Sequence, residues 1–425
     1  MNRRHHAARA AGIASVAVLA SCGSGTTGPS GPAGSGTILI GLNVPVTADP
    51  YVAGLITRGA TLAVDQENAA GGVKVGGTTY KLTLKTYDDN NDPQKSAANV
   101  DLAIHDGAVA VIEDGIGASI SASKSAAAGV AEIIITNGNL GLLADSNKVP
   151  LPSLFRLGIP NDAAAGLLGT YIASQTMNVA ILHDDSENGR DGSAQLVSAL
   201  GSANVTIAPA PIEVPAASPT IDAQVAQLAA AHPGGIALWG SDIFIAKAVA
   251  AIRAAALTVP IYTNQAGESP AVRLLDGPTA TEGLRIVTGR MTSEGDATDF
   301  PAFEHALATD KLGPTDAGFK NAAGQEIRQP NDIDFFPYDS VHVIVAALQR
   351  RGSVTPGSTL LDEMSVVTVK SANGDARGYN SQSHEAFAAA DVYIAGIHDM
   401  QFEPVKDETL SATLPTEDEI LTNFH

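Results

Sequence analysis

Six short polar clusters in this chain each follow an apolar run: Val46-Thr47, 115–119, 136–139, 184–190, 240–242 and 264–268. In an open parallel sheet, ligands sit beyond the carboxyl ends of the strands, where such clusters fall. Gly117-Ala118-Ser119 stands at a predicted helix start. Unpaired backbone N–H groups and a hydroxyl there can take a carboxylate or another anion; Ser119 is equally placed to cap the helix. Thr136, Asn137 and Asn139 offer three polar groups directly after four apolar positions, as ligand contacts or as an Asx turn. Asp242 and Glu268 can pair with an ammonium or hydroxyl group, or remain solvated loop acids. Thr47 adds a hydroxyl to the first cluster, and Trp239, the only tryptophan, is a core residue beside the Asp242 loop.

No spacing marks an enzyme, a nucleotide loop or a metal centre. The run Gly115-Ile116-Gly117-Ala118-Ser119-Ile120 lacks the third glycine of a dinucleotide fingerprint. A phosphate-binding glycine-lysine loop, His-Glu-x-x-His and Gly-x-Ser-x-Gly are absent. His183, His342 and His398 are isolated and read as packing or surface residues. Asp88-Asp89 and Asp184-Asp185 lie at strand ends, with nothing to separate an acid from a base. No cofactor and no metal are expected.

The elements that must position these clusters follow from periodicity. Residues 37–44, 80–87, 109–112 and 132–136 read as strands, with helices at about 55–66, 93–105 and 119–128 between them. Asp92-Pro93 is a cap followed by proline at the first helical position, and Gly71-Gly72 reads as a helix stop. The pattern restarts with a linking strand at 155–158, an Asn161-Asp162 cap and a helix to about Gln175. Strands at 178–183, 236–239, 259–262, 284–287 and 390–397 and helices at 191–200, 222–231, 243–256 and 341–348 complete it. Alternating β and α elements with continuous apolar strands predict two doubly wound, Rossmann-like α/β units, each a parallel sheet covered on both faces and joined by several crossings.

Composition narrows the compartment. The net charge is −20, and the first 21 residues carry three arginines and no acid, so their removal leaves −23. Such a chain is unsuited to nucleic acid, whose phosphates demand clustered Lys and Arg. The acidity suits a cationic ligand, but solubility alone accounts for it. Arg3, Arg4 and Arg9, a short apolar stretch and Leu19-Ala20-Ser21-Cys22 read as a secretory leader. The stretch is shorter than the roughly 20 residues that span a bilayer. The chain's one cysteine falls at the cut site, so residues 1–21 resemble a bacterial lipoprotein signal and Cys22 is the expected lipidated residue. Residues 22–36, rich in Gly, Ser and Pro, make a flexible tether of roughly 20 Å reach.

The chain resembles the type I periplasmic binding proteins, in the branch of the leucine/isoleucine/valine-binding proteins of ABC transporters. The likeness is carried by Ile40-Gly41 and Pro45-Val46-Thr47, Arg58-Gly59-Ala60, and Asn68-Ala69-Ala70-Gly71-Gly72-Val73. It continues in Tyr87-Asp88-Asp89, Asp92-Pro93 and Pro337-Tyr338-Asp339-Ser340-Val341. It implies two lobes joined by a three-stranded hinge, closing on a small ligand for delivery to a membrane permease. Lobe 1 would be 37–156 plus 290–380, and lobe 2 would be 157–289 plus 381–425. The resemblance assigns the ligand carboxylate to 115–119 and 136–139 and an ammonium to lobe 2. There Asn188 replaces the usual tyrosine before Gly189, and the usual glutamate position falls near Ala266 with Glu268 close by. The implied ligand is an amino acid, an amide, or a small aromatic or organic acid. A sensor with the same fold and an extracytoplasmic enzyme are the competing readings.

Overall fold

The computed structural model describes residues 36–405, apart from 216–217, 294–302, 304–318 and positions 322, 328, 330, 373 and 388. The leader, Cys22 and all of the tether but Gly36 lie outside the described residues. The first sheet contains β1 (Gly36–Val44), β2 (Val73–Val75), β3 (Thr78–Asp88), β4 (Ala108–Glu113), β5 (Ala131–Ile134) and β6 (Leu154–Arg156). Their order is β2-β3-β1-β4-β5-β6, parallel except for the β2–β3 hairpin. Helices α1 (Pro50–Ala69), α2 (Pro93–His105) and α3 (Ala118–Ala128) connect these strands. After β6 come α4 (Asn161–Gln175), β7 (Asn178–Asp184), α5 (Glu187–Ser202), β8 (Thr206–Ile207), β9 (Ile212–Val214), α6 (Asp222–Ala231) and β10 (Gly235–Trp239). The unit continues through α7 (Asp242–Ala254), β11 (Ile261–Thr263), α8 (Pro270–Thr281), β12 (Arg285–Thr288) and α9 (Arg290–Ser293).

The chain then forms the hairpin β13 (Phe319–Lys320) and β14 (Glu326–Ile327), α10 (Asp332–Arg351), α11 (Ser358–Met364) and the hairpin β15 (Thr368–Lys370) and β16 (Ala376–Gly378). It returns as β17 (Tyr393–His398) and β18 (Gln401–Pro404) to complete the second sheet, ordered β18-β17-β12-β11-β10-β7-β8 with β9 also on β7. β17 and β18 run antiparallel, so both sheets are mixed rather than wholly parallel. The central strands β4, β5 and β10 are buried along their whole length, as sheets covered on both faces require.

Local chemistry explains the motif residues. Asp92 accepts from the Gln94 and Lys95 N–H groups at 2.8 and 3.2 Å to cap α2, and Asp49 does the same for α1 with Tyr51 and Val52 at 3.2 and 3.1 Å. Both are followed by proline at the first helical position. Arg58 grips the buried Asp334 of α10 through Nε and Nη2 at 2.7 and 2.6 Å. A Cβ on Gly59 would come within 1.8 Å of the Asp334 carbonyl, so only glycine allows this crossing of α1 and α10. Asn68 mimics a neighbouring strand, exchanging two 2.9 Å bonds with the backbone of Leu82. The glycines after it lead into the β2–β3 hairpin, beyond the helix stop expected there.

Three connections link the lobes: after β6, between β12 and α10, and between β16 and β17. α10 packs on α1 and therefore belongs with the first sheet. The first and third connections run side by side, with Arg156 N–H on the His384 carbonyl at 2.9 Å and Ala386 N–H on the Arg156 carbonyl at 3.0 Å. At α4, Asn161 is the first helical residue and Pro160 takes the cap position, one residue earlier than the expected cap.

Candidate ligand-binding site

The parallel strands of each sheet deliver their carboxyl-end loops to the junction between the lobes, and these loops touch. In lobe 1, Thr136 Oγ1 donates to the Asp114 carbonyl at 3.1 Å and Asn137 Nδ2 to the Gly115 carbonyl at 3.1 Å. Asn137 and Asn139 accept from N–H groups two residues on, at 3.1 and 2.9 Å. They are Asx turns, so these two amides shape the loop. The loop meets lobe 2 through Asn188, whose Oδ1 accepts from Gly138 N–H and from Asn161 Nδ2, both at 3.0 Å. Leu140 N–H reaches Asp191 Oδ2 at 3.3 Å in the same contact.

Acids from both lobes also bear on one another: the charge of Asp49, after β1, acts on Asp242, the first residue of α7 after β10. Asp242 is almost wholly buried, and its Oδ2 accepts from Ser269 Oγ at 2.5 Å. Burial first, and then the Asp49 charge, hold its carboxyl well above the ordinary range. Asp114, after β4, is pushed up to about 8 by burial and then by Asp89 and Asp49. Asp89, after β3, is raised to about 6, chiefly by burial. Asp89 Oδ1 accepts from Asn91 N–H at 2.7 Å, while the buried Oδ2 has no hydrogen-bond partner.

Several expected contacts are placed elsewhere. Thr47 is exposed, and its N–H and hydroxyl serve Asp88 at 3.2 and 2.7 Å. Gly117 caps α3 and is needed for packing, since a Cβ there would sit 2.7 Å from Ser96 Cβ and 2.8 Å from Ala97 N. Ala118 is buried in the core, and Ser119 is an exposed second helical residue, not the cap. Trp239 is fully buried and core.

Glu268, a ligand-contact candidate in the sequence, has its carboxyl buried and engaged by groups from the end of β12, from α9 and from the start of α10. Oε1 accepts from Ile333 N–H at 3.0 Å and Gln265 Nε2 at 3.1 Å, and Oε2 meets the hydroxyls of Thr288 and Thr292. Burial, then Asp332, push it up to about 8. Asp49 and Asp114 were not singled out in the sequence, and Asp89 was noted only as half of a strand-end pair. Asp49-Pro50 repeats the Asp92-Pro93 signature and marks a helix start at a strand's carboxyl end, which was the available signal.

Among the described residues, no group of three or more His, Cys, Asp or Glu side chains could hold a metal ion. No described helix is long and apolar enough to cross a membrane. Two α/β lobes, joined by three connections and meeting through their strand-end loops, define a hinged solute-binding protein. The family model described as "Periplasmic binding protein" matches residues 37–401, and the chain belongs to that family. Its members bind solutes and are not enzymes.

Among solved structures, a type 1 periplasmic binding protein from Bordetella pertussis Tohama I is similar at 19% identity and a TM-score of 0.74, over 87% of this chain and 100% of that one. The branched-chain amino acid substrate-binding protein LivJ from Streptococcus pneumoniae, in complex with isoleucine, gives 18% and 0.71 over 87% and 100%. A solute-binding protein from R. palustris, in complex with benzoate, gives 17% and 0.67 over 87% and 95%. At these identities the likeness establishes the fold. No curated protein matches the chain.

Proposed function

We propose that this protein is the lipid-anchored solute-binding component of an ABC importer, working at the outer face of a bacterial membrane. It takes one small solute, of the amino acid, amide or small carboxylate class, between its lobes and presents the closed form to a permease. The observation that carries the reading is the meeting of strand-end loops from two sheets, at Gly138 with Asn188 and at Leu140 with Asp191. A solute touching both lobes stabilises the closed arrangement by its differential affinity for it. Similar folds hold isoleucine and benzoate, which supports a small-solute range. Cys22 is the anchor in this reading, with the Gly/Ser/Pro segment as leash.

The reading is tested by a thermal-shift screen of amino acids, amides and small organic acids. A bound solute at 100 times its Kd adds about 2.7 kcal/mol to stability. Palmitate labelling of the expressed chain and of Cys22→Ser tests the anchor. Label in the parent and none in the variant supports it; equal label, or none in either, removes it.

A further inference from the structure

We infer that Arg156 is the positioning residue for lobe closure: from the first connection it holds one edge of the Asn139–Leu140 peptide, whose other edge is held by lobe 2. The guanidinium lies at the end of β6 with its side chain wholly buried. Its Nη2 donates to the Asn139 carbonyl at 2.7 Å. Leu140 N–H donates to Asp191 Oδ2 of α5 at 3.3 Å. That carbonyl and that N–H belong to one planar trans peptide and point in opposite directions. A cation on the carbonyl therefore aims the N–H at the carboxylate of the other lobe. Both bonds are charge-assisted, and each polarises the peptide in the sense that strengthens the other. This contact joins the lobes whatever the solute.

The loop that carries this peptide is built as one unit with the first connection. Leu157 N–H donates to the Ile134 carbonyl at 3.0 Å and Asn161 N–H to the Gly138 carbonyl at 2.9 Å. A Cβ on Gly158 would lie 2.0 Å from the Ile135 carbonyl oxygen, and one on Gly138 would lie 2.5 Å from Asn161 Oδ1. Glycine at both positions lets the two segments pack backbone to backbone. Asn161 Nδ2 then donates to Asn188 Oδ1 at 3.0 Å and to Asp191 Oδ2 at 2.8 Å. These are the same two acceptors that take Gly138 N–H and Leu140 N–H. Arg156 and Asn161, at the two ends of one connecting segment, hold both sides of the inter-lobe contact.

The rest of the guanidinium's surroundings assign it to this task. Nε faces Glu385, on the third connection, at 3.4 Å. Neither Nε nor Nη1 makes a hydrogen bond, and Glu385 Oε2 accepts none. The pair is joined by charge alone, and among the described residues the hydrogen bond this side chain makes is the one to Asn139. Burying a guanidinium so sparsely bonded is costly and is no stabilising device in itself. Nε and Nη1 are also shielded from solvent, so no solute reaches them in this arrangement. Arg156 acts through the Asn139 carbonyl, with Glu385 holding its charge between the first and third connections.

The test reads residue-resolved amide deuterium exchange in the purified full-length chain in detergent, with no solute added. Exchange at Gly138 and Leu140 reports opening of the contact with lobe 2, and exchange at Val111, buried in β4, reports general softening. In Arg156→Met, Gly138 and Leu140 are expected to exchange about tenfold faster relative to Val111, the effect of one lost hydrogen bond to a charged group. Arg156→Lys keeps a cationic donor without the planar fork and is expected to lie between the parent and Arg156→Met. Arg58→Met removes another buried guanidinium from lobe 1 and should leave both ratios at their parent values. Unchanged ratios in Arg156→Met, or ratios raised as much by Arg58→Met, overturn the inference. Should Arg156→Met not fold, Arg156→Lys decides in the same way, and unchanged ratios there overturn it. No solute enters the measurement, so such a failure leaves the solute-binding reading standing.

Discussion

Replacing Glu268 by glutamine separates a hinge role from a ligand role for this buried acid. Thr292 Oγ1 accepts from Asp332 N–H at 2.9 Å, so its own proton is free for Glu268 Oε2. Thr288 Oγ1 lies 2.8 Å from Glu268 Oε2 and 2.9 Å from Asp332 Oδ2, yet has one proton to give. One of the two carboxyls must therefore hold a proton, and burial followed by Asp332 push Glu268 up to about 8. A carboxyl whose folded value is raised favours the protonated native state. Its stabilising effect is complete below its unfolded value and is lost as pH climbs through the folded value. Between pH 5 and pH 7 the native state holds this proton while the unfolded chain releases it. The native state then loses about 1.4 kcal/mol per pH unit relative to the unfolded one, or about 3 kcal/mol across the interval. Glutamine reproduces the protonated acid without that proton uptake. Urea unfolding of parent and Glu268→Gln at pH 5, 6 and 7 should show the variant gaining about 2–3 kcal/mol relative to the parent over the range. Solute affinity should be unchanged. Parallel pH curves would refute the shared proton, and lost affinity would return Glu268 to the cleft.

Further outcomes follow from other contacts. Arg58→Met leaves Asp334 buried without its bidentate partner and should cost about 3–5 kcal/mol in chemical denaturation; a loss under 1 kcal/mol contradicts the assigned role of that pair. Asn188→Ala removes the bond to Gly138 that joins the lobes. At about 1 kcal/mol for one hydrogen bond, solute affinity should fall roughly fivefold by calorimetry, with the ligand-free melting point nearly constant. Unchanged affinity would place this contact outside the closing motion.

Much of the architecture was written in local patterns. The Asp92-Pro93 cap set the start of α2, and continuous apolar runs marked β1, β4, β7 and β10. Strands of two to four residues, such as β8, β9 and β18, carry too little periodicity to be seen. Among the candidates, Asp242 was legible because it falls three positions past an apolar strand. Asp49 was not, because its partner is 193 positions away (242 − 49) and on another lobe. Glu268 shows what the sequence hid. Its position beside a strand end suggested a ligand contact, while Thr288, Thr292 and Asp332, which consume it, come from distant segments. Asn137 and Asn139 fit either role in sequence, and their turns emerge only with the backbone.

The claim on which the account depends is that two lobes close over one solute. Spin labels at Ile120→Cys in lobe 1 and Glu187→Cys in lobe 2, both exposed beside the junction, measure this directly in a Cys22→Ser background. Adding a solute that raises the melting temperature should shift the inter-label distance distribution to shorter values. The same distribution with and without bound solute would contradict the account.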